Sequence, residues 1–240
     1  MRPVVELTDF SKEYGGTYVV EDLTFAVEEG SIVGLLGPNG AGKSTTMRAL
    51  AGLTRATNGS AKILGRQFDS YESPASVAGF HLDTFGFETG INARRHLEIC
   101  RLAAGVGRDR VDAVLEEVGL SQHARKRVKT FSTGMAQRLG LATALIAEPK
   151  VLVLDEPSNG LDPDGIRWLR RFLADFARDG GTVLISSHLL AELEQLVDTV
   201  VVIDRRLLYA GSVGGLLGGE RSLEDGYFEL LDRGRENTDA

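Results

Sequence analysis

The segment GPNGAGKST, Gly37 to Thr45, constrains this chain more than any other stretch. It follows the apolar run SIVGLL and leads into KSTTMRALAGL, which has helical character. A strand therefore feeds a glycine-rich loop that opens a helix. Glycines let the backbone turn tightly enough to aim successive N–H groups at phosphate oxygens, and the helix N-terminus adds a favourable partial positive charge. The spacing G-x-x-x-x-G-K-[ST] assigns Gly37, Pro38, Asn39, Gly40, Ala41, Gly42, Lys43, Ser44 and Thr45 to the phosphates of a nucleotide. Lys43 reaches the outer phosphates, and the Ser44 hydroxyl binds Mg²⁺.

The surroundings decide what kind of sheet carries that loop. Ahead of it, VVELTDF and YVVEDLTFAV read as strands, and behind its helix the Asn-Gly of TRATNGSAKILG reads as a turn into another. From roughly Phe85 to Glu148 the pattern changes: NARRHLEICRLAAGV, DRVDAVLEEVGL and GMAQRLGLATALIAE place apolar residues at helical spacing. Strands return as VLVLDE, TVLISS and TVVVID, separated by helices such as GIRWLRRFLADFA, whose apolar face is Ile166, Leu169, Phe172, Leu173 and Phe176. Asp162 and Pro163 suit the cap and first turn of that helix. Apolar strands alternating with helices predict a largely parallel, covered sheet. The final stretch reads as one short helix and a polar tail.

In VLVLDEP, Asp155 and Glu156 end a strand whose side chains open into the mouth of a parallel sheet, where ligands bind. Asp155 suits Mg²⁺, and Glu156 can accept a proton from an attacking water or orient it. His188, in LISSHLL, follows a third strand of the same kind, which places it near the γ-phosphate or Glu156.

Composition excludes several alternatives. The apolar runs stop far short of the ~20 residues of a membrane span, and no charged start with an apolar stretch opens the chain. The single cysteine, Cys100, forms no internal disulfide, reads as a buried core thiol, and belongs to no metal-spaced Cys/His cluster. A net charge of -7 argues against a nucleic-acid surface, and the basic run ARKRVK, Ala124 to Lys129, reads as a solvated face.

Taken in order, the phosphate loop, the helical insertion, FSTGMAQR, VLVLDEP, SNGLDP and SSH closely resemble the ATP-binding subunits of ABC transporters, from about Val4 to Gly211. The resemblance implies an α/β fold: a P-loop NTPase core with a largely parallel sheet, an N-terminal antiparallel β subdomain and a helical insertion. It implies one domain over 1–240, with the core at 1–83 and 149–215, the helical subdomain at 84–148, and a C-terminal helix and tail at 216–240. Tyr14, in KEYGG, takes the place of the aromatic that stacks on adenine. SNGLDP, with Asp162, resembles the loop that crosses the dimer seam, and FSTGMAQR, with Ser132 and Gly134, takes the place of the signature that closes over the other subunit's ATP. Glu156, His188 and Lys43 are implied as catalytic, and ATP with Mg²⁺ as the ligands.

Two segments depart from the family pattern. Thr133 stands where the signature has its first glycine, and a β-branched residue resists a positive φ; Met135 stands where it has glutamine. The hydroxyl of Ser132, a close backbone N–H and a helix N-terminus survive, so a competent site is expected. Asp83, in VAGFHLDTFGF, aligns with a glutamine that touches Mg²⁺; a carboxylate is also a hard oxygen ligand, and its charge predicts weaker ATP binding. A related subset with similar relaxed segments resembles antibiotic and bacteriocin self-protection exporters.

The resemblance therefore implies a peripheral ATPase on the inner face of the plasma membrane. It would form a homodimer or heterodimer of ATPase subunits, coupled to a transmembrane permease on a separate chain. A soluble ABC ATPase of the cluster-assembly type is the alternative within the family. A P-loop kinase accounts for Lys43 but not for Ser132, Asp162 and His188 together.

Overall fold

The computed structural model describes residues 2–82, 86–88, 90–217 and 222–236, with side chains up to Arg233. Two sheets carry the fold. In the first, β1 (Pro3–Tyr14), β2 (Thr17–Glu28) and β4 (Asn58–Ile63) lie in the order β2-β1-β4, all antiparallel. The β1–β2 hairpin turns on Gly15 and Gly16, both at positive φ, the backbone that matches a two-residue turn to strand twist. The Asn58-Gly59 pair, expected as a turn, instead opens β4, with Asn58 opposite Ser11. Gly59 lies beside a bulge of β1, and a Cβ there would sit 2.2 Å from the Asp9 carbonyl oxygen. The glycine permits a close strand crossing rather than a chain reversal.

The second sheet comprises β3 (Ile32–Leu36), β5 (Ala78–His81), β6 (Val151–Asp155), β7 (Thr182–Ser186), β8 (Thr199–Asp204) and β9 (Arg206–Ser212). Their order is β5-β6-β7-β3-β8-β9, parallel except for the antiparallel edge strand β9. Every residue of β3, β6 and β7 is buried, as continuous apolar runs require in a sheet covered on both faces. Along β6 the side chains alternate: Leu152 and Leu154 enter one core, Val151 and Val153 the other. One core packs the sheet against the helical middle, and the other packs it against the antiparallel sheet and α1 (Lys43–Leu50).

The helical middle holds α2 (Ala93–Ala104), α3 (Asp109–Glu117) and α4 (Thr133–Leu145). A Cβ on Gly79 of β5 would lie 2.1 Å from the Ala144 carbonyl oxygen, so α4 rests directly on that strand. Of the basic run, Ala124 and Val128 are buried while Arg125, Lys126, Arg127 and Lys129 are exposed, as a solvated face requires. Cys100 is half-buried against the helical core, and burial pushes its thiol up.

Helix α5 (Pro163–Arg178) starts as expected: the Asp162 side chain accepts the Gly165 N–H at 2.7 Å and Pro163 occupies the first turn. Leu169 and Leu173 are buried, while Trp168, Phe172 and Phe176 stack along the same helix. The chain then adds α6 (Leu190–Glu194), α7 (Val213–Leu217) and α8 (Leu223–Glu236). No helix among the described residues is long and apolar enough to cross a membrane.

Candidate nucleotide site

Strand order brings three carboxyl ends together. β7 pairs with both β3 and β6, so the loop after Leu36, the Asp155-Glu156 pair and the Ser186-Ser187-His188 segment share one edge of the sheet. A cavity of about 340 Å³ opens there, lined by Pro38 to Thr45, Asp155, Glu156, Asn159, His188 and Val19.

Gly42 caps α1 at φ 100 with no side-chain hydrogen bond, so the first-turn N–H groups are left for a ligand. A Cβ at Gly42 would lie 2.4 Å from Val20 Cγ2, which holds the loop against β2. The Lys43 ammonium donates to the carbonyl oxygens of Gly37, at 2.7 Å, and Pro38, at 3.2 Å. Burial pushes its pKa below the usual lysine value, while the charges of Glu156 and Asp155 pull it back up. An incoming phosphate would act in the same sense as those carboxylates and hold the charged form.

Ser186 connects the two acids. Its hydroxyl donates to Asp155 Oδ1 at 2.6 Å and accepts the Glu156 N–H at 3.0 Å, fully buried. Glu156 is left-handed, with φ 50, a conformation that costs a non-glycine residue of order 1–3 kcal/mol and concentrates at functional sites. That turn leads the Glu156 carboxylate to His188, where Oε2 accepts the backbone N–H at 3.2 Å and lies 2.8 Å from Nδ1. His188 thus meets Glu156, one of the two contacts open to it in the sequence.

Asp155 is a carboxylate only 3% exposed, and the hydrogen bond from Ser186 falls on one of its oxygens. A buried charge of this kind calls for a cation. Ser44 lines the same cavity, and a hydroxyl with a carboxylate is the hard-oxygen donor set that Mg²⁺ takes. Asp83, the other expected ligand, lies outside the described residues. Tyr14 ends β1 at 51% exposed, with its ring beneath the Lys12 ammonium, and is not among the residues lining the phosphate cavity.

Ser132, Gly134 and Asp162 line a different cavity, of about 480 Å³, together with Thr133, Met135, Gly160 and Leu161. Ser132 caps α4, its hydroxyl accepting the Met135 N–H at 3.2 Å. Thr133 is the first residue of α4 and does not take a positive φ. The conformational objection to a β-branched residue there is thus removed: the position calls for helical backbone, which threonine adopts. Pro38 to Thr45 with Glu156 and His188, and Ser132 with Gly134 and Asp162, therefore line two cavities that share no residue, while Tyr14 and Gly37 line neither.

Sequence reasoning missed Ser186, Asn159 and Val19. Ser186 lies within the SSH segment, and Asn159 within SNGLDP, two segments that the sequence itself marks. Val19 carries no chemical signal, being one apolar residue in a strand.

Comparison with known proteins agrees with this geometry. A family model described as ABC transporter matches residues 20–159. The chain is 42% identical over 208 residues to the bacitracin transport ATP-binding protein BcrA of Bacillus licheniformis, covering 85% of this chain and 67% of that protein. It is 36% identical over 197 residues to the lantibiotic transport ATP-binding protein SrtF of Streptococcus pyogenes, covering 82% and 85%. Among solved structures, an ATP-binding subunit of an ABC transporter superposes with TM-score 0.86 at 30% identity, covering 95% of this chain and 99% of that one. A dimeric bacterial ABC transporter cassette, MJ0796, shares the fold with TM-score 0.80 at 21% identity, covering 87% and 98%.

Proposed function

The chain belongs to the ABC transporter family of ATP-hydrolysing cassettes, and from that premise we propose that it is the ATPase subunit of an exporter whose permease is a separate chain. It sits on the inner face of the plasma membrane through that permease. The single observation that carries the proposal is the split site. Lys43, Glu156 and His188 line one cavity, and Ser132, Gly134 and Asp162 line another. Neither set surrounds a triphosphate by itself, and a head-to-tail pair of subunits brings one of each together. Relatives named for bacitracin and lantibiotic transport support export of an antimicrobial peptide or a similar compound.

In this mechanism the loop amides and Lys43 hold the phosphates, while Ser44 and Asp155, with Asp83 as the third candidate, would hold Mg²⁺. When bound, Mg²⁺ neutralises charge that develops on the transferred phosphoryl group. Glu156 takes a proton from the attacking water or orients it, and His188 fixes the Glu156 carboxylate. Ser132 and the N-terminus of α4 from the second subunit close over the γ-phosphate, and Tyr14 stacks on the adenine. Closure upon ATP and reopening after hydrolysis would drive the permease.

The test uses Glu156→Gln with saturating ATP and Mg²⁺. It should form a stable dimer by size exclusion, and a monomer under those conditions would sink the sandwich. Affinity purification of the tagged chain from its native membrane should bring down a multispanning protein; soluble scaffold subunits alone would point to the cluster-assembly alternative.

A further inference from the structure

Thr133 does more than replace a glycine. Gly160, in the loop before α5, sits at φ 74, and a Cβ there would lie 2.4 Å from Thr133 Cγ2 and 2.9 Å from Thr133 Cβ. The methyl of one residue thus fills the space that a side chain on the other would need. Gly134 makes the neighbouring contact: a Cβ there would lie 3.4 Å from Leu161 Cδ2 and 3.5 Å from the Gly160 carbonyl oxygen. Both sides of this contact adjoin a capped helix start. Ser132 caps α4 on one side, and Asp162 caps α5 on the other. The loop also reaches the first cavity, because the Asn159 N–H donates to the Glu156 carbonyl oxygen at 3.1 Å and Asn159 lines that cavity.

We propose that Thr133 is a positioning residue, locked by its methyl group onto Gly160, that makes the Ser132–Met135 segment and the Ser158–Asp162 loop move as one body. On the reading given above, one end of this body closes over the second subunit's ATP and the other adjoins the chain's own Glu156. The lock carries the state of one ATP site to the hydrolytic machinery of the other. Closely packed contacts suit that task because they permit discrete arrangements rather than continuous deformation. The pairing also explains why threonine is tolerated here: the space over Gly160 that it takes is left open by the missing side chain at 160.

The experiment is a double-mutant cycle on the full chain with Gly160→Ala, Thr133→Gly and the two combined. Gly180→Ala serves as control, since Gly180 has φ 93 with nothing within 4 Å of its Cβ position. That control reads the cost of a positive φ without a clash. Gly160→Ala should lower kcat for ATP hydrolysis about 10-fold while KM changes less than about 2-fold, the mark of a lost transition-state interaction rather than lost binding. Adding Thr133→Gly should bring kcat back to within about 3-fold of wild type, because the clash is removed. Tm should fall further for Gly160→Ala than for Gly180→Ala, and the double variant should close that gap.

Additive effects in both kcat and Tm would overturn the proposal, as would a Gly160→Ala protein with wild-type kcat. Should Gly160→Ala fail to fold, Thr133→Ser decides. It deletes only Cγ2, and should lower kcat about 3-fold at unchanged KM and Tm; unchanged kcat would overturn the lock. A wild-type protein that binds nucleotide without hydrolysing it would sink the ATPase reading, while the Tm cycle would still decide the pair.

Discussion

Glu156 and His188 meet through a single oxygen. Glu156 Oε2 accepts the His188 backbone N–H and faces the imidazole Nδ1 at 2.8 Å. The carboxylate is mostly shielded, at 18% side-chain exposure, while the imidazole is 62% exposed. The histidine therefore acts as an outer bracket that fixes the carboxylate from the solvent side. Replacing Glu156 by Gln keeps the shape and removes the basic oxygen, so kcat should fall by about 10²–10⁴ with ATP binding retained. His188→Ala keeps the backbone N–H on Oε2 but removes the imidazole contact, and a loss of about 10-fold is expected. Steady-state hydrolysis and equilibrium nucleotide binding on the three proteins check this. Wild-type turnover in Glu156→Gln would remove that residue from the reaction.

A second prediction concerns Ser186, which holds Asp155 and the Glu156 amide at once. Ser186→Ala leaves a buried carboxylate oxygen and a partly buried N–H without that partner. Each such loss costs about 1–3 kcal/mol, which for a chain of this size lowers Tm by several degrees. The released Asp155 should also require more Mg²⁺ for half-maximal hydrolysis. Thermal melts and a Mg²⁺ titration read the two effects separately, and a variant unchanged in both would show that the hydroxyl is dispensable.

Two loop glycines separate backbone strain from steric conflict. Gly40 has φ 84 and nothing within 4 Å of its Cβ position, whereas a Cβ on Gly42 would meet Val20 Cγ2 at 2.4 Å and the Val19 carbonyl oxygen at 3.0 Å. Gly40→Ala should cost about 1–2 kcal/mol, the price of a left-handed alanine. Gly42→Ala adds displacement of β2 or of the loop, a further 1–3 kcal/mol or so, and should weaken nucleotide binding by more than about 10-fold because the α1 amides shift. Denaturant melts with a nucleotide titration on both variants provide the comparison.

What was legible in the sequence tracks how much of each feature is local. The phosphate loop could be read because its chemistry demands those letters in that order, and α5 because Asp162 and Pro163 announce its start. Ser186 could not be read: its role arises only because β7 lies between β3 and β6, and strand order is not written in any one segment. Strand β5, at four residues, is too short to display a period, and β9 is an edge strand with no fully buried residue. The Asn58-Gly59 pair misled because a left-handed glycine serves a bulge as well as a turn. At Thr133 the sequence showed a departure from the pattern, but its steric partner, Gly160, lies on another element.

The last prediction turns on His96, which is held among Phe87, Cys100 and Thr143 in the helical core. The Thr143 hydroxyl donates to the Leu139 carbonyl oxygen at 2.9 Å, so it accepts from the imidazole Nε2–H at 2.9 Å. Nε2 therefore carries a proton, and burial favours the neutral ring. Burial lowers its pKa from 6.5, which means that the unfolded chain binds a proton more readily than the folded one. Its contribution to stability is complete above pH 6.5 and is lost as the pH falls below that value. His81, whose pKa burial lowers to about 4, adds a loss in the same direction. The substitution His96→Gln keeps a donor for Thr143 and removes the titration, leaving His81 in place. Between pH 7.5 and pH 5, values of roughly one unit either side of the imidazole range, wild type should lose more Tm than the variant. Parallel melting curves across that interval would show His96 to be protonated without penalty in the folded state, and the packing against Cys100 and Phe87 would then carry no pH dependence.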